Sequence, residues 1–143
     1  MKRQVLLDTN ILIGAFDTDP ENSAHIDARE KLRALLTNQD VEPVITSLIL
    51  FEVLRGVQRV SATEMDARLK RLPCFPIRDD EARLAAQVFR YAKDNDRKLD
   101  KHSFDLLHCA CAEVRGFEIL AKDGDIPKIQ QLIRDSNKNA QTY

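Results

Sequence analysis

The sequence predicts an α/β fold built on a central parallel sheet of four to five short strands. Three observations lead there. Short apolar runs are each followed by a stretch in which apolar residues recur at helical spacing. These strand and helix signals alternate along the chain, which implies parallel pairing through right-handed crossovers. Turn residues separate the elements, with no internal repeat, low-complexity tract or linker between them. The chain therefore reads as a single domain, 1–143, long enough to bury a core without disulfides or structural metal.

The elements follow in order. Val5 to Leu7 reads as a short, wholly buried strand. Ile11, Leu12 and Phe16 mark a short helix that starts just after Asp8. "TDPEN" (Thr18 to Asn22) is a turn. Ser23 is placed to cap a helix whose apolar side is Ile26, Leu32, Leu35 and Leu36. Pro43 to Ile45 reads as the second strand, with Ser47 as N-cap of "LILFEVLRGV" and Gly56 near that helix's end. Thr63 to Arg71 is a further helix and "CFPI" (Cys74 to Ile77) the third strand. Asp79 or Asp80 caps a helix running to about Asp94, with Leu84, Val88 and Tyr91 or Ala92 inward. Asp94 to His102 is a polar loop. Ser103 caps "FDLLHCACAEVR", which Gly116 closes. Phe117 to Leu120 is the fourth strand and Ile126 to Arg134 the last helix; "SNKNAQTY" reads as a loose tail.

Composition narrows the function classes. With 43% hydrophobic and 31% charged residues, the chain has the make-up of a soluble globular domain, not of a disordered one. Its 22 basic and 23 acidic residues nearly cancel, so any affinity for nucleic acid has to be local. Cys74, Cys109 and Cys111 are odd in number, and two sit on an apolar helix, which fits reduced thiols packed as small hydrophobes. Cys109 and Cys111 are two apart and point in different directions on a helix, and no second Cys/His cluster completes a zinc set. "MKRQVLL" begins like a signal peptide, but Asp8, Asn10 and Asp17 break the apolar region. No apolar run approaches the roughly 18 residues of a membrane span. A cytoplasmic protein without membrane attachment is expected.

Acids interrupt the apolar segments. Asp8 follows "VLL", Glu52 sits in "LILFEVL", Asp105 in "SFDLLHCACA", and Asp123 follows "EILA". Each stands at a strand end or in the first turns of a helix, and in a parallel α/β fold ligands bind beyond the carboxyl ends of the strands. Each also has a structural reading of its own. Asp8 could cap the following helix, Glu52 could be a surface residue, Asp105 could answer the helix dipole, and Asp123 could be a turn residue. Gathered in one cleft, the four carboxylates would repel one another and take up protons unless a cation relieved them. An all-oxygen donor set suits magnesium or manganese, and a metal held by acids serves phosphoryl chemistry by activating a water and neutralising phosphate.

"LLDTNILI", "LFEVLRG", "FDLLHCACA" and "ILAKDGDI" resemble, in order and over nearly the whole chain, the four acidic motifs of PIN-domain proteins. Size and motif order are most similar to VapC-type toxins of bacterial and archaeal toxin–antitoxin pairs. The resemblance implies a PIN-like α/β/α sandwich and a Mg2+- (or Mn2+-) dependent endoribonuclease that cuts single-stranded RNA with a metal-activated water, leaving 5′-phosphate and 3′-hydroxyl ends. It also implies a homodimer and a cognate antitoxin that blocks the active site. Carried onto this chain, Asp8 and Asp105 are the principal metal ligands, Glu52 the second acid, and Asp123 the fourth, with Asp125 the competing choice. Thr9 and Asn10 support Asp8. The fourth motif departs from the family's pattern at Ala121, where Thr or Ser is usual, and at Ile126, where an aromatic is usual. The chain end does not read as the fifth strand that many members carry.

Arg55 and Arg59 follow Glu52 by three and seven positions, while Arg97, Lys98 and Lys101 precede Asp105. Arg55, Arg97 and Lys98 are the candidate RNA contacts, weighed against ordinary solvated ion pairs. His108, one turn after Asp105, reads as a packed or surface histidine. A haloacid-dehalogenase-type phosphatase would need an acid two residues after its nucleophile, where this chain has Asn10. A degenerate PIN module that binds RNA or protein without catalysis is the alternative; loss of an acid would signal it, and all four acids are present.

Overall fold

The computed structural model describes residues 2–97, 99, 102–122 and 124–141. Four strands form one parallel sheet in the order β3-β2-β1-β4. They are β1 (Arg3–Leu7), β2 (Val41–Thr46), β3 (Cys74–Phe75) and β4 (Glu118–Leu120). Interleaved with them are α1 (Thr9–Phe16), α2 (Ser23–Leu36), α3 (Ser47–Gly56), α4 (Ala62–Leu69), α5 (Asp79–Asp94), α6 (Ser103–Arg115) and α7 (Asp125–Gln141). The α/β class and the parallel sheet match the expectation, with four strands among the described residues. None of the described helices is long and apolar enough to cross a membrane.

The chain divides into two compact units. The sheet unit takes the residues up to Pro76 together with Phe117–Lys122, and the helical unit takes Ile77–Gly116 and α7. In the sheet unit β1 is central: Val5 lies level with Pro43 on β2 and Glu118 on β4. A strand paired on both sides and covered by helices has to be apolar throughout, and Leu6 and Leu7 are fully buried. Ile11, Leu12, Val44, Ile45, Ile49, Val53, Met65 and Leu69 complete that core. Gly14 lets α1 approach α2, because a Cβ there would meet the Ala28 Cβ at 2.8 Å.

Three helix starts in the sheet unit shift by a residue or so from their expected places, each with a capping hydrogen bond behind it. Asn22, not Ser23, caps α2, its Oδ1 accepting from the Ala24 and His25 N–H groups. Thr46, not Ser47, caps α3 through a 3.2 Å bond from the Ile49 N–H. Ser61 accepts from the Glu64 N–H and starts α4 ahead of the expected Thr63. Leu36, expected on the buried side of α2, is exposed. β3 keeps only Cys74–Phe75 of "CFPI", since Pro76 has no N–H to give a ladder.

In the helical unit Arg78 occupies the N-cap of α5, and Asp79 and Asp80 fall inside its first turn. The Arg78 N–H donates to Glu81 Oε1 at 3.1 Å. The other Glu81 oxygen, Oε2, accepts from Arg115 Nε at 2.7 Å, with Glu81 wholly buried. His102, not Ser103, precedes α6, and Gly116 ends that helix in the left-handed region at φ 73°. Cys109 and Cys111 are buried and free, as expected of packed thiols, and Cys74 is free and exposed. The loose-tail expectation fails. α7 runs through Gln141, because Ile126, Ile129, Leu132, Ile133 and Ser136 make one continuous buried face. Gln87 Nε2 donates to the Ser136 hydroxyl at 3.1 Å and holds that face beyond Arg134.

Candidate active site

The sheet unit holds Asp8, at the carboxyl end of β1. Its backbone is held on both sides: the Asp8 N–H donates to Leu120 O at 3.0 Å on β4, and its carbonyl accepts from the Ile11 and Leu12 N–H groups. These bonds fix where the side chain starts, in extended backbone at φ −70° and ψ 155°. The carboxylate makes no capping bond to α1, although Asp8 stands at the N-cap position and is only 5% exposed. The capping role that the sequence allowed is therefore taken by the backbone alone.

Thr9 and Glu52 meet in the same unit. The Thr9 hydroxyl donates to Glu52 Oε1 at 3.0 Å, joining the first turn of α1 to the middle of α3. A hydroxyl has one proton to give, so Thr9 steadies Glu52 rather than Asp8. Glu52 is half-buried and Asn10 exposed. Arg55 lies over the Phe51 ring, 5.0 Å from its centroid, a cation–π contact one turn along α3. Arg59 lies past the end of α3, not on Glu52's helical face, and its guanidinium bonds Asp19 at 3.0 Å.

The helical unit holds Asp105, in the first turn of α6. His102 Nδ1 lies 3.4 Å from Asp105 Oδ2 and 3.9 Å from Asp125 Oδ2. His108, one turn on, is 1% exposed, and one of its ring nitrogens lies within 4.8 Å of an Asp105 carboxylate oxygen. Of the two readings the sequence left open, packed or surface, His108 is packed, and it lies beside the acid. His102 was hidden by its place at the end of a polar loop. Asp123 and Lys98 lie outside the described residues. Asp125, the competing fourth acid, begins α7, with Lys128 Nζ at 4.0 Å. Arg97 is tied to Asp135 at 2.9 Å, the ion pair against which its RNA role was weighed.

Asp17 is a second buried acid of the sheet unit, and nothing in its local sequence marks it. It accepts the Gln58, Arg59 and Val60 N–H groups at 2.9, 2.9 and 2.8 Å. Burial pushes this carboxyl up, but the three backbone donors and the Arg59 charge outweigh it and hold it below its ordinary value. Its oxygens are engaged in organising the loop after α3.

The donor chemistry in each unit fits a hard divalent cation. Asp8, Glu52 and Asp105 offer carboxylate oxygens, the ligands that magnesium and manganese prefer. A carboxylate as buried as Asp8 is costly without a compensating partner or cation.

No sequence among the curated proteins matches this chain. Solved structures share its fold. A toxin–antitoxin complex from Klebsiella pneumoniae superposes with a TM-score of 0.63 at 20% identity, over 83% of this chain and 86% of that one. VapBC2 from Rickettsia felis, bound to a DNA fragment from its promoter, gives 0.63 at 18%, over 84% and 87%. Mycobacterium tuberculosis VapC20, described as a sarcin–ricin loop cleaving toxin, gives 0.60 at 17%, over 87% and 93%. A family model of the PIN domain matches residues 5–132, a span that holds all four acidic motifs. This chain belongs to the PIN domain family.

Proposed function

We propose that this chain is a metal-dependent endoribonuclease, the toxin of a toxin–antitoxin pair, and that its two units work together as one PIN domain. One observation carries the reading: Asp8 is buried at the carboxyl end of the central strand, where a parallel α/β fold binds its ligands. Likeness of fold to the toxin structures, and the description of one as a sarcin–ricin loop cleaving toxin, support it.

In this reading Asp8, Glu52, Asp105 and a fourth acid, Asp123 or Asp125, hold Mg2+ or Mn2+. When bound, the metal supplies water activation and neutralises the attacked phosphate. Asp8 is set in position by the bonds of its backbone to β4 and α1. Glu52 is steadied by the Thr9 hydroxyl. His102 orients Asp105 from one side and His108 packs beside it. Arg55, Arg97 and Lys98 contact the RNA backbone, with Asn10 in a supporting place on α1. The chain acts in the cytoplasm as a homodimer and is silenced by a cognate antitoxin.

The test is cleavage of single-stranded RNA by the purified chain in Mg2+ and in EDTA, with analysis of the product ends. The expected result is metal-dependent cutting that leaves 5′-phosphate and 3′-hydroxyl ends. Equal cutting in chelator, or 2′,3′-cyclic phosphate ends, would overturn the mechanism.

A further inference from the structure

We propose that the helical unit carries a pocket for one unpaired base of the RNA strand, with His102 as the wall it shares with Asp105. The inference rests on the ribonuclease reading and adds where base choice is made. A cavity of about 430 Å³ opens between the segment before α6 and the face of α7. That volume falls within the roughly 300–1,000 Å³ of small-ligand sites. Its apolar walls are Leu99, Ile129 and Leu132, each under 10% exposed, and its charged lining is Arg97, paired with Asp135, and Lys128, 4.0 Å from Asp125, which also lines the cavity.

Three features select a nucleotide as the occupant. Aliphatic walls with one histidine ring suit a base lifted out of its stack, the form in which single-stranded RNA is read. The cations suit the phosphate that accompanies the base. Arg97 is held in place by its bond to Asp135, and Lys128 reaches into solvent with 80% of its side chain exposed. The pocket also adjoins Asp105. The His102 ring that lines it lies 3.4 Å from Asp105 Oδ2. A base seated against that ring brings its own nucleotide beside Asp105. A base held in a duplex could not enter, and the side chains lining the pocket would set which bases fit.

The experiment is calorimetric titration of the full chain, without divalent metal, with AMP, GMP, CMP, UMP and ribose 5-phosphate. At least one nucleotide is expected to bind about tenfold or more tightly than the base-free sugar phosphate. Gln131→Trp, at an exposed lining position of α7, should abolish that advantage and leave Mg2+ binding unchanged. Lys128→Glu should weaken all five ligands severalfold. Equal affinity for nucleotides and ribose 5-phosphate, or an advantage that survives Gln131→Trp, would overturn the pocket. Absence of RNA cleavage by the native chain in Mg2+ would end the ribonuclease reading and leave this binding result standing.

Discussion

Asp8 and Asp17 are both buried acids on either side of α1, and their surroundings give them different work. Asp17 is occupied by three backbone N–H donors. Removing it leaves those donors to be satisfied by water or not at all, so Asp17→Ala should cost about 2–4 kcal/mol in urea unfolding. The pH dependence follows from its lowered carboxyl. The stability it contributes is present above the ordinary Asp value of 3.8 and is lost as pH falls through the lower folded value. Acid unfolding below about pH 4 should accordingly be shallower for Asp17→Asn than for the native chain. Cys111 gives a second residue-scale prediction. Burial, reinforced by the Glu81 carboxylate, pushes its thiol up to about 12. With Cys109 buried as well, a thiol reagent at neutral pH should titrate one cysteine, Cys74, in the native chain and three in urea.

At the scale of elements, two contacts decide how helices pack. A Cβ at Gly14 would meet Ala28 Cβ at 2.8 Å and His25 Cα at 3.2 Å. Gly14→Ala should therefore cost about 1–3 kcal/mol by overpacking, whereas Gly124→Ala, which meets nothing, should be near neutral. The buried Glu81–Arg115 pair joins the start of α5 to the end of α6. Arg115→Met should destabilise by about 3–5 kcal/mol, because it strands the Glu81 charge, and adding Glu81→Leu should restore most of that loss. These contacts also explain what the sequence hid. Glu81 stands in "DDE", where it looks like a solvated first-turn acid, and its partner lies 34 residues away. Asn22–Ser23 and Thr46–Ser47 each offer two adjacent capping residues, and local pattern cannot choose between them. The last helix was cut short because Ser136 reads as polar, whereas a hydrogen bond from Gln87 lets it sit in the buried face.

At the scale of the whole molecule, the alternation of strand and helix was legible because each period is short and each strand is apolar throughout. The first acid was legible because a carboxylate stands out at the end of such a strand. The partners of the acids were not: Thr9 to Glu52 spans 43 residues, and His102 sits in a loop without periodicity. If the acids hold one metal, binding should stabilise the whole chain. Mg2+ at a hundred times its dissociation constant should add about 2.7 kcal/mol, raising Tm by several degrees, with no rise in Asp8→Asn. The most direct measurement of the central claim is the cleavage rate of an end-labelled single-stranded RNA in Mg2+ by the native chain and by Asp8→Asn. The account predicts a loss of about a hundredfold or more, since the metal's stabilisation of the transition state is worth several kcal/mol. Equal rates from the two proteins would contradict it.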